Sequence, residues 1–336
     1  MRAVQCQTFG PPATLKVVDL PSPTARPGHV VLTVTAAGVN FPDVLIIQDK
    51  YQFKPPLPFT PGGEVAGVVK EIGEGVTEVA VGDRVIGSSL TGGYAEELLL
   101  PAAACLPIPQ GMGDEEAAAF LMTYGTSYHA LKDRAGLQPG ETLLVLGAAG
   151  GVGLAAVELG VAMGAKVVAA VSSEAKAQLC RRHGAAATLV YPTNPLGRDA
   201  QKALSEQIKQ VCASVGAMDG ADVIYDPIGD DYAEPALRAI AWKGRYLVVG
   251  FAAGQIPKVP LNLTLLKGCQ IVGVFYGAFT GRQRDDNAGN LAELSALVTS
   301  GKVMPHVSGR YPLERAHEAL ELMAARGVTG KVVIVP

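Results

Sequence analysis

The chain has 336 residues, room for about two domains at roughly 100–200 residues each. Its net charge is −3 and no stretch of Lys or Arg is dense enough to make a nucleic-acid tract, which argues against a polyanion partner. With 49% hydrophobic and 18% charged residues, the composition excludes a disordered chain and demands a large buried core.

Cys6, Cys105, Cys180, Cys212 and Cys269 lie far apart, with no CxxC pair and no Cys/His cluster. An odd count at such spacing fits free thiols in a reducing compartment. The stretch from Met1 to Cys6, followed by Pro11-Pro12, has no apolar signal core. The expected location is the cytoplasm. Leu143–Val157 runs 15 residues without a charge. That is shorter than the ~20 residues a spanning helix needs. Rich in glycine, it reads as a buried strand, turn and helix, and no membrane partner is expected.

The N-terminal part reads as short strands broken by turns. Val30–Ala37 alternates in part after Arg26-Pro27-Gly28, and Glu64–Ile72 and Asp83–Ile86 are further apolar strands. Pro55, Pro56, Pro58 and Pro61 form a stiff loop between them. This spacing suggests a β-rich, barrel-like unit. Asp114–His129 reads as helix. A strict alternation follows. Thr142–Gly147, Lys166–Val171, Thr188–Tyr191, Asp222–Asp226 and Gly244–Gly250 are strands. Gly151–Met163, Glu174–His183, Asp199–Val215 and Asp231–Ala241 are helices. Near-continuous apolar strands between amphipathic helices imply a parallel sheet covered on both faces. Ile271–Tyr276 adds a sixth strand. A polar loop (Gly281–Asn287), helices near Ala288–Ser300 and Leu313–Ala325, and a strand Lys331–Val335 close the chain. Periodicity alone leaves open whether this tail extends the second unit or rejoins the first.

The most informative segment is Leu143-Leu144-Val145-Leu146-Gly147-Ala148-Ala149-Gly150-Gly151-Val152-Gly153. An apolar strand runs into a glycine turn and then a helix, so backbone can approach a pyrophosphate at the positive helix N-terminus. Gly150 and Gly153 fill the second and third positions of G-x-G-x-x-G, and Ala148 stands at the first. The alternative is a tight strand-to-helix turn using small residues for packing. An NAD-binding fold places Asp or Glu at the end of the next strand, for the ribose 2′-hydroxyl. Here Ser172 holds that place, with Lys176 one helical turn on. Serine can donate to a 2′-phosphate and lysine supplies charge, which favours NADPH. Glu174 counts against it unless it points away.

The residues Gly38-Val39-Asn40-Phe41-Pro42-Asp43, Tyr51, Pro61-Gly62-Gly63-Glu64-Val65-Ala66-Gly67, Val81-Gly82-Asp83-Arg84-Val85, Thr123-Tyr124-Gly125-Thr126, Tyr225-Asp226-Pro227-Ile228-Gly229 and Gly330-Lys331-Val332 carry a resemblance, together with the Ala148–Gly153 turn. The chain resembles the zinc-independent quinone oxidoreductases of the medium-chain dehydrogenase/reductase superfamily. The resemblance implies a Rossmann-type doubly wound parallel sheet inserted in a β-rich, GroES-like catalytic domain. The expected division is 1–122 with 266–336 for the catalytic domain and 123–265 for the dinucleotide domain. It implies NADPH held by Ala149, Gly150, Gly151, Val152 and Gly153, with Ser172, Lys176 and Tyr191 at the adenosine phosphate. Asn40, Tyr51, Thr126, Val249, Gly250, Phe251, Phe275 and Tyr276 fall near the nicotinamide, and Lys331 is counted among the cofactor residues. Asn40 and Tyr51 are the candidate catalytic donors.

Related alcohol dehydrogenases hold a catalytic zinc through Cys and His. Here Asn40 stands where the first Cys would be and Gly63 where the His would be, so no metal is expected. Without a Lewis acid, hydride transfer to an acceptor that is already electrophilic remains feasible. The expected acceptor is a quinone. Reduction of α,β-unsaturated carbonyls or enoyl thioesters, and NADPH binding without turnover, are the alternatives. Ile271–Tyr276 would be an exposed sheet edge unless a second copy covers it, so a homodimer is expected.

Overall fold

The computed structural model describes residues 1–193 and 195–336. The chain divides into one unit of Met1–Met122 with Met304–Pro336 and a second of Thr123–Val303.

In the first unit, β1 (Arg2–Gln5) and β2 (Lys16–Asp19) make an antiparallel ribbon. The spine is β3 (His29–Gly38), which pairs with both β4 (Glu64–Ile72) and β6 (Glu97–Pro101). Beyond β4 come β5 (Arg84–Ser88) and β7 (Cys105–Pro107). All these pairings are antiparallel. The β3–β4 register shifts at Val31/Leu32 and again at Val34/Ala36. Such bulges add local twist and bend the sheet. Val30, Leu32 and Val34 then face a shared core with Val65, Val85, Leu98 and Leu100.

In the second unit, β8 (Thr142–Leu146), β9 (Lys166–Val171), β10 (Ala187–Val190), β11 (Ala221–Asp226), β12 (Ile240–Val248) and β13 (Gln270–Gly273) form a six-stranded sheet in the order β10-β9-β8-β11-β12-β13. Every pairing is parallel. The order runs outward in one direction from β8 and then in the other from β11. That reversal is where doubly wound folds bind ligands, outside the carboxyl ends of the strands. Every residue of β8 is buried, as a strand covered on both faces requires. The chain returns to the first unit as β14 (Val307–Pro312) and β15 (Lys331–Val335), where β15 pairs antiparallel with β3.

The structure corrects four expectations. Segment 266–303 lies with the second unit, not the first. β13 pairs with β12, Tyr246 opposite Ile271, and Asn290 of the helix Arg284–Thr299 bonds Lys132 and Asp133 at 3.0 and 2.7 Å. The helix expected over Asp114–His129 is broken. A short α-helix, Asp114–Ala117, is followed by wide π turns at Leu121–Gly125 and His129–Arg134. The Tyr276 hydroxyl occupies the place of a Gly125 side chain: a Cβ there would lie 2.3 Å from it. The helix expected over Asp231–Ala241 is only Ala233–Arg238, because Ile240 already pairs with Ala221 at the start of β12. The sixth strand stops at Gly273; Tyr276 begins a helix that ends at Arg282, and the expected polar loop is largely helical. Among the described residues no helix is long and apolar enough to cross a membrane.

Candidate functional site

In the second unit, the expected dinucleotide residues cluster at the carboxyl ends of the parallel strands. Gly147, directly after β8, has a φ of 58°, the left-handed turn that a side chain would strain. It supplies the tight turn that the sequence comparison had assigned to Ala148. Gly150 is the N-cap of the helix Gly151–Ala162. A Cβ on Gly153 would lie 2.3 Å from Gly147 O and 2.9 Å from Ala148 Cα, so this glycine is needed for the helix to pack on the turn. At Gly150 the nearest atom to such a Cβ is Gly147 O at 3.5 Å. Packing within the protein therefore does not explain Gly150. The first N–H groups of a helix have no intrahelical acceptor. Gly151, Val152 and Gly153 present theirs at this turn.

At the end of β9, Lys176 Nζ donates to Ser172 Oγ at 3.3 Å, and Ser173 Oγ caps the helix Glu174–Arg182 by accepting from Lys176 N. Glu174, the residue that weighed against a 2′-phosphate, forms an ion pair with Arg181. The pair balances its charge and leaves Lys176 as the cation beside Ser172. Tyr191 N donates to Val171 O at 2.9 Å, which sets Tyr191 beside the same strand end. Its ring is buried and tilts against Tyr232 at 4.8 Å between centroids. These residues fit a nucleotide phosphate: a serine, a lysine, and no carboxylate at the strand end.

Val249 and Gly250 follow β12, and their N–H groups both donate to Asp226 O, at 2.9 and 3.3 Å. The Asp226 carboxylate is buried. It accepts from Ile228 N and Gly229 N at 2.9 and 2.8 Å and from the Tyr246 hydroxyl. This clamp shapes the loop ahead of Phe251, and burial pushes the Asp226 pKa up. Phe251 and Phe275 are exposed large apolar side chains, while the Tyr276 hydroxyl lies over Gly125, next to Thr126. The structure thus brings Gly125 and Tyr276 together within this unit.

The first unit contains a buried polar cluster whose full membership sequence reading missed. Asn40, Asp43, Glu64, Tyr94 and Lys331 are all at least nine-tenths buried. Lys331 Nζ donates to Val39 O at 2.7 Å and to Asn40 Oδ1 at 2.6 Å, and lies 3.9 Å from Glu64 Oε2. Asn40 Nδ2 donates to Glu64 Oε2 at 3.1 Å, and Met122 N donates to Glu64 Oε1 at 3.0 Å. Asp43 Oδ2 accepts from Asn40 N and from the Tyr94 hydroxyl, both at 2.8 Å. Burial raises the Asp43 pKa to about 6 and pushes that of Glu64 up, and it pushes Lys331 down.

The Lys331 ammonium is bonded inside the first unit, to Val39 O and Asn40 Oδ1, with Glu64 at 3.9 Å. The Asn40 amide is engaged at both ends, its oxygen by Lys331 and its nitrogen by Glu64. Tyr51 packs against the core of this unit with its ring half-buried. Burial and the charge of Asp43 raise its pKa, keeping the phenol protonated and able to donate. The legible signal for the cluster was a lysine at the start of an apolar strand, which needs acidic partners once buried. Among the described residues, no three His, Cys, Asp or Glu side chains gather where they could hold a metal ion.

Residues 26–110 match the family model described as the alcohol dehydrogenase GroES-like domain, and residues 151–295 match that of the zinc-binding dehydrogenases. The chain is 38% identical to the quinone oxidoreductase-like protein 2 homolog of Nematostella vectensis, over 99% of this chain and 88% of that protein. A crystal structure of a probable oxidoreductase from Mycobacterium abscessus superposes with a TM-score of 0.86 at 38% identity, covering 100% of this chain and 99% of that one. The Escherichia coli quinone oxidoreductase complexed with NADPH superposes with a TM-score of 0.88 at 27% identity, covering both chains fully. The chain therefore belongs to the quinone oxidoreductase-like proteins of the medium-chain dehydrogenase/reductase superfamily.

Proposed function

We propose that the protein is an NADPH-dependent oxidoreductase that transfers hydride to a quinone without a metal. The cofactor reading is carried by one observation: Lys176 on Ser172 at the end of β9, with Glu174 paired to Arg181. Bound there, NADPH supplies the hydride. The residues of this chain do the rest. The turn Gly147–Gly153 offers backbone N–H groups to the pyrophosphate, and Lys176 and Ser172 receive the 2′-phosphate. Tyr51 offers a phenolic donor to an acceptor oxygen that gains charge. The zinc-free reading rests on Asn40 and Gly63 at the ligand positions, and on the Lys331 ammonium bonded to Asn40, where a second cation would be repelled. Following NADPH at its absorbance band with a quinone panel and an enoyl-thioester panel tests the acceptor class. Consumption with quinones alone supports the proposal. Consumption with enoyl thioesters alone moves the acceptor to that class, and binding without consumption by either makes the protein a non-catalytic binder.

We also propose that it works as a homodimer. β13 ends the sheet order, and Trp242, Leu265, Leu266, Ile271 and Phe275 of the same unit are exposed. An open apolar edge of this kind invites pairing with a second copy. Sedimentation of Ile271→Arg at half the mass of the wild-type species supports this arrangement, and a wild-type monomer at all concentrations contradicts it.

A further inference from the structure

We propose that the second unit carries a binding site for a small phosphorylated polyanion, in a cleft walled by the helices Arg198–Ser214, Ala233–Arg238 and Asn262–Lys267. The cleft has a volume of about 870 Å³, within the ~300–1,000 Å³ of small-molecule sites. Every residue that lines it belongs to the second unit, and none is among the residues assigned to NADPH.

One wall follows from the sequence. Arg198, Lys202, Ser205 and Lys209 recur at i, i+4, i+7 and i+11, which places them on one stripe of the helix Arg198–Ser214. Beside that stripe, Leu204 and Ile208 are buried with Ala236 and Leu263. Helix stability does not account for the cations. Basic side chains favour a helix C-terminus, where they complement the macrodipole. Here Arg198 is the first helical residue, and the last turn has no basic residue. Arg198 and Lys202 also repel each other as like charges four residues apart.

The charges of the cleft are not balanced within it. Glu206 pairs with Lys209, and Glu234 with Arg238. The side chains of Arg198, Lys202 and Lys267 make no hydrogen bond or ion pair among the described residues. These cations line one cleft of a chain whose net charge is −3. Ser205 is an independent observation. It is only 3% exposed and lines the cleft, yet its hydroxyl has no hydrogen-bond partner among the described residues. A helical serine can donate to the carbonyl four residues back, as Ser300 does to Ala296 O at 2.8 Å. Ser205 does not, and a buried hydroxyl left without a partner is costly. It is a donor held for a group that enters the cleft.

This set of donors fits phosphate. The arginine fork matches two phosphate oxygens, the lysines supply point charge, and the serine hydroxyl donates to a further oxygen. The helix N-terminus adds its own preference for anions. From Arg198 to Ser205 the helix rises about 10 Å, so the fitting ligand carries more than one phosphate. Pro235 and Leu263 give an apolar wall for the body that bears them. A nucleoside polyphosphate has this build.

The test is calorimetric titration of the full chain with ATP, tripolyphosphate and citrate, after saturation with NADPH. ATP is expected to bind once per chain, more tightly than tripolyphosphate, which lacks the body, and far more tightly than citrate. Lys202→Glu and Lys267→Glu should each weaken ATP about 10-fold or more. Ser205→Ala should weaken it about 3- to 10-fold, with NADPH affinity unchanged in all three. Lys16→Glu makes the same charge change at an exposed residue of the first unit and should leave ATP binding as it is. Failure of both ATP and tripolyphosphate to bind would overturn the proposal. So would competition between ATP and NADPH, which would put the ATP at the dinucleotide turn. Equal losses in Lys202→Glu and Lys16→Glu would reduce the attraction to net charge and overturn it too. Citrate binding as tight as that of ATP would overturn the phosphate class. A single-stranded RNA oligomer that binds these residues more tightly than ATP would make the cleft part of a nucleic-acid surface instead. Should the chain not bind NADPH, the same variants titrated as apoprotein decide the matter, because none of them touches the dinucleotide turn.

Discussion

Lys331 Nζ lies 2.6 Å from Asn40 Oδ1, and both side chains are buried in the first unit. The contact settles which end of the Asn40 amide is oxygen, because an ammonium has only donors and Glu64 takes the opposite end. It also joins the last strand, β15, to the loop that follows β3. One cation thereby organises the asparagine, a glutamate and the Val39 carbonyl.

Removing that cation leaves Glu64 as a buried charge with weaker compensation. Lys331→Met should therefore cost about 3–5 kcal/mol in urea unfolding. Adding Glu64→Gln to Lys331→Met should recover about 1–2 kcal/mol, because the uncompensated charge is gone. Strict additivity of the two substitutions would show that they are not coupled.

Asp43 makes stability depend on pH in a fixed direction. Its folded pKa is about 6, against 3.8 for the ordinary side chain. The folded chain holds this proton more tightly than the unfolded chain does. The resulting stability is fully present below about 4 and lost as pH rises through about 6. About two units correspond to roughly 3 kcal/mol. The stability difference between wild type and Asp43→Asn should shrink by an amount of that order between pH 4 and pH 7. A difference independent of pH would show that Asp43 titrates normally in the fold.

The two turn glycines separate binding from packing. Gly150→Ala meets only Gly147 O at 3.5 Å, so it should change stability by less than about 1 kcal/mol. NADPH affinity should fall about 10-fold or more, as the methyl intrudes on the pyrophosphate. Gly153→Ala would put its Cβ 2.3 Å from Gly147 O and should lower the melting temperature whether or not cofactor is present. Calorimetry with and without NADPH reads both. Equal effects of the two substitutions on the apoprotein would contradict the distinction.

Lys176→Ala should weaken NADPH by about 5- to 100-fold, the value of a partly exposed charged hydrogen bond to phosphate. NADH affinity should hardly change. Equal losses for both cofactors, or none for either, would make Lys176 a surface residue of its helix.

The parallel sheet was legible because its strands are apolar at nearly every position. Lys166–Val171 and Lys331–Val335 appear in the structure with the bounds read from sequence. The dinucleotide turn was legible because it joins such a strand to a helix through small residues, although Gly147 and not Ala148 makes the sharp turn. The broken helix after Asp114 was not legible. Its π turns surround Gly125, whose missing side chain accommodates Tyr276 from far along the chain. The domain assignment of 266–303 failed for a similar reason: β13 belongs where it pairs, and pairing is not a local signal. Asp43 and Glu64 bond backbone and a basic neighbour, through Asn40 N, Met122 N and Lys331. The identity of that basic neighbour was hidden, since Lys331 lies 291 residues from Asn40.

The most direct test of metal-free, NADPH-dependent quinone reduction is turnover of 1,4-benzoquinone by protein dialysed against a strong chelator, with zinc content measured on the same sample. The account predicts NADPH oxidation at the undialysed rate, no gain on adding zinc, and a slower rate with NADH at equal concentration. Loss of turnover on dialysis, restored by one equivalent of zinc, would contradict it.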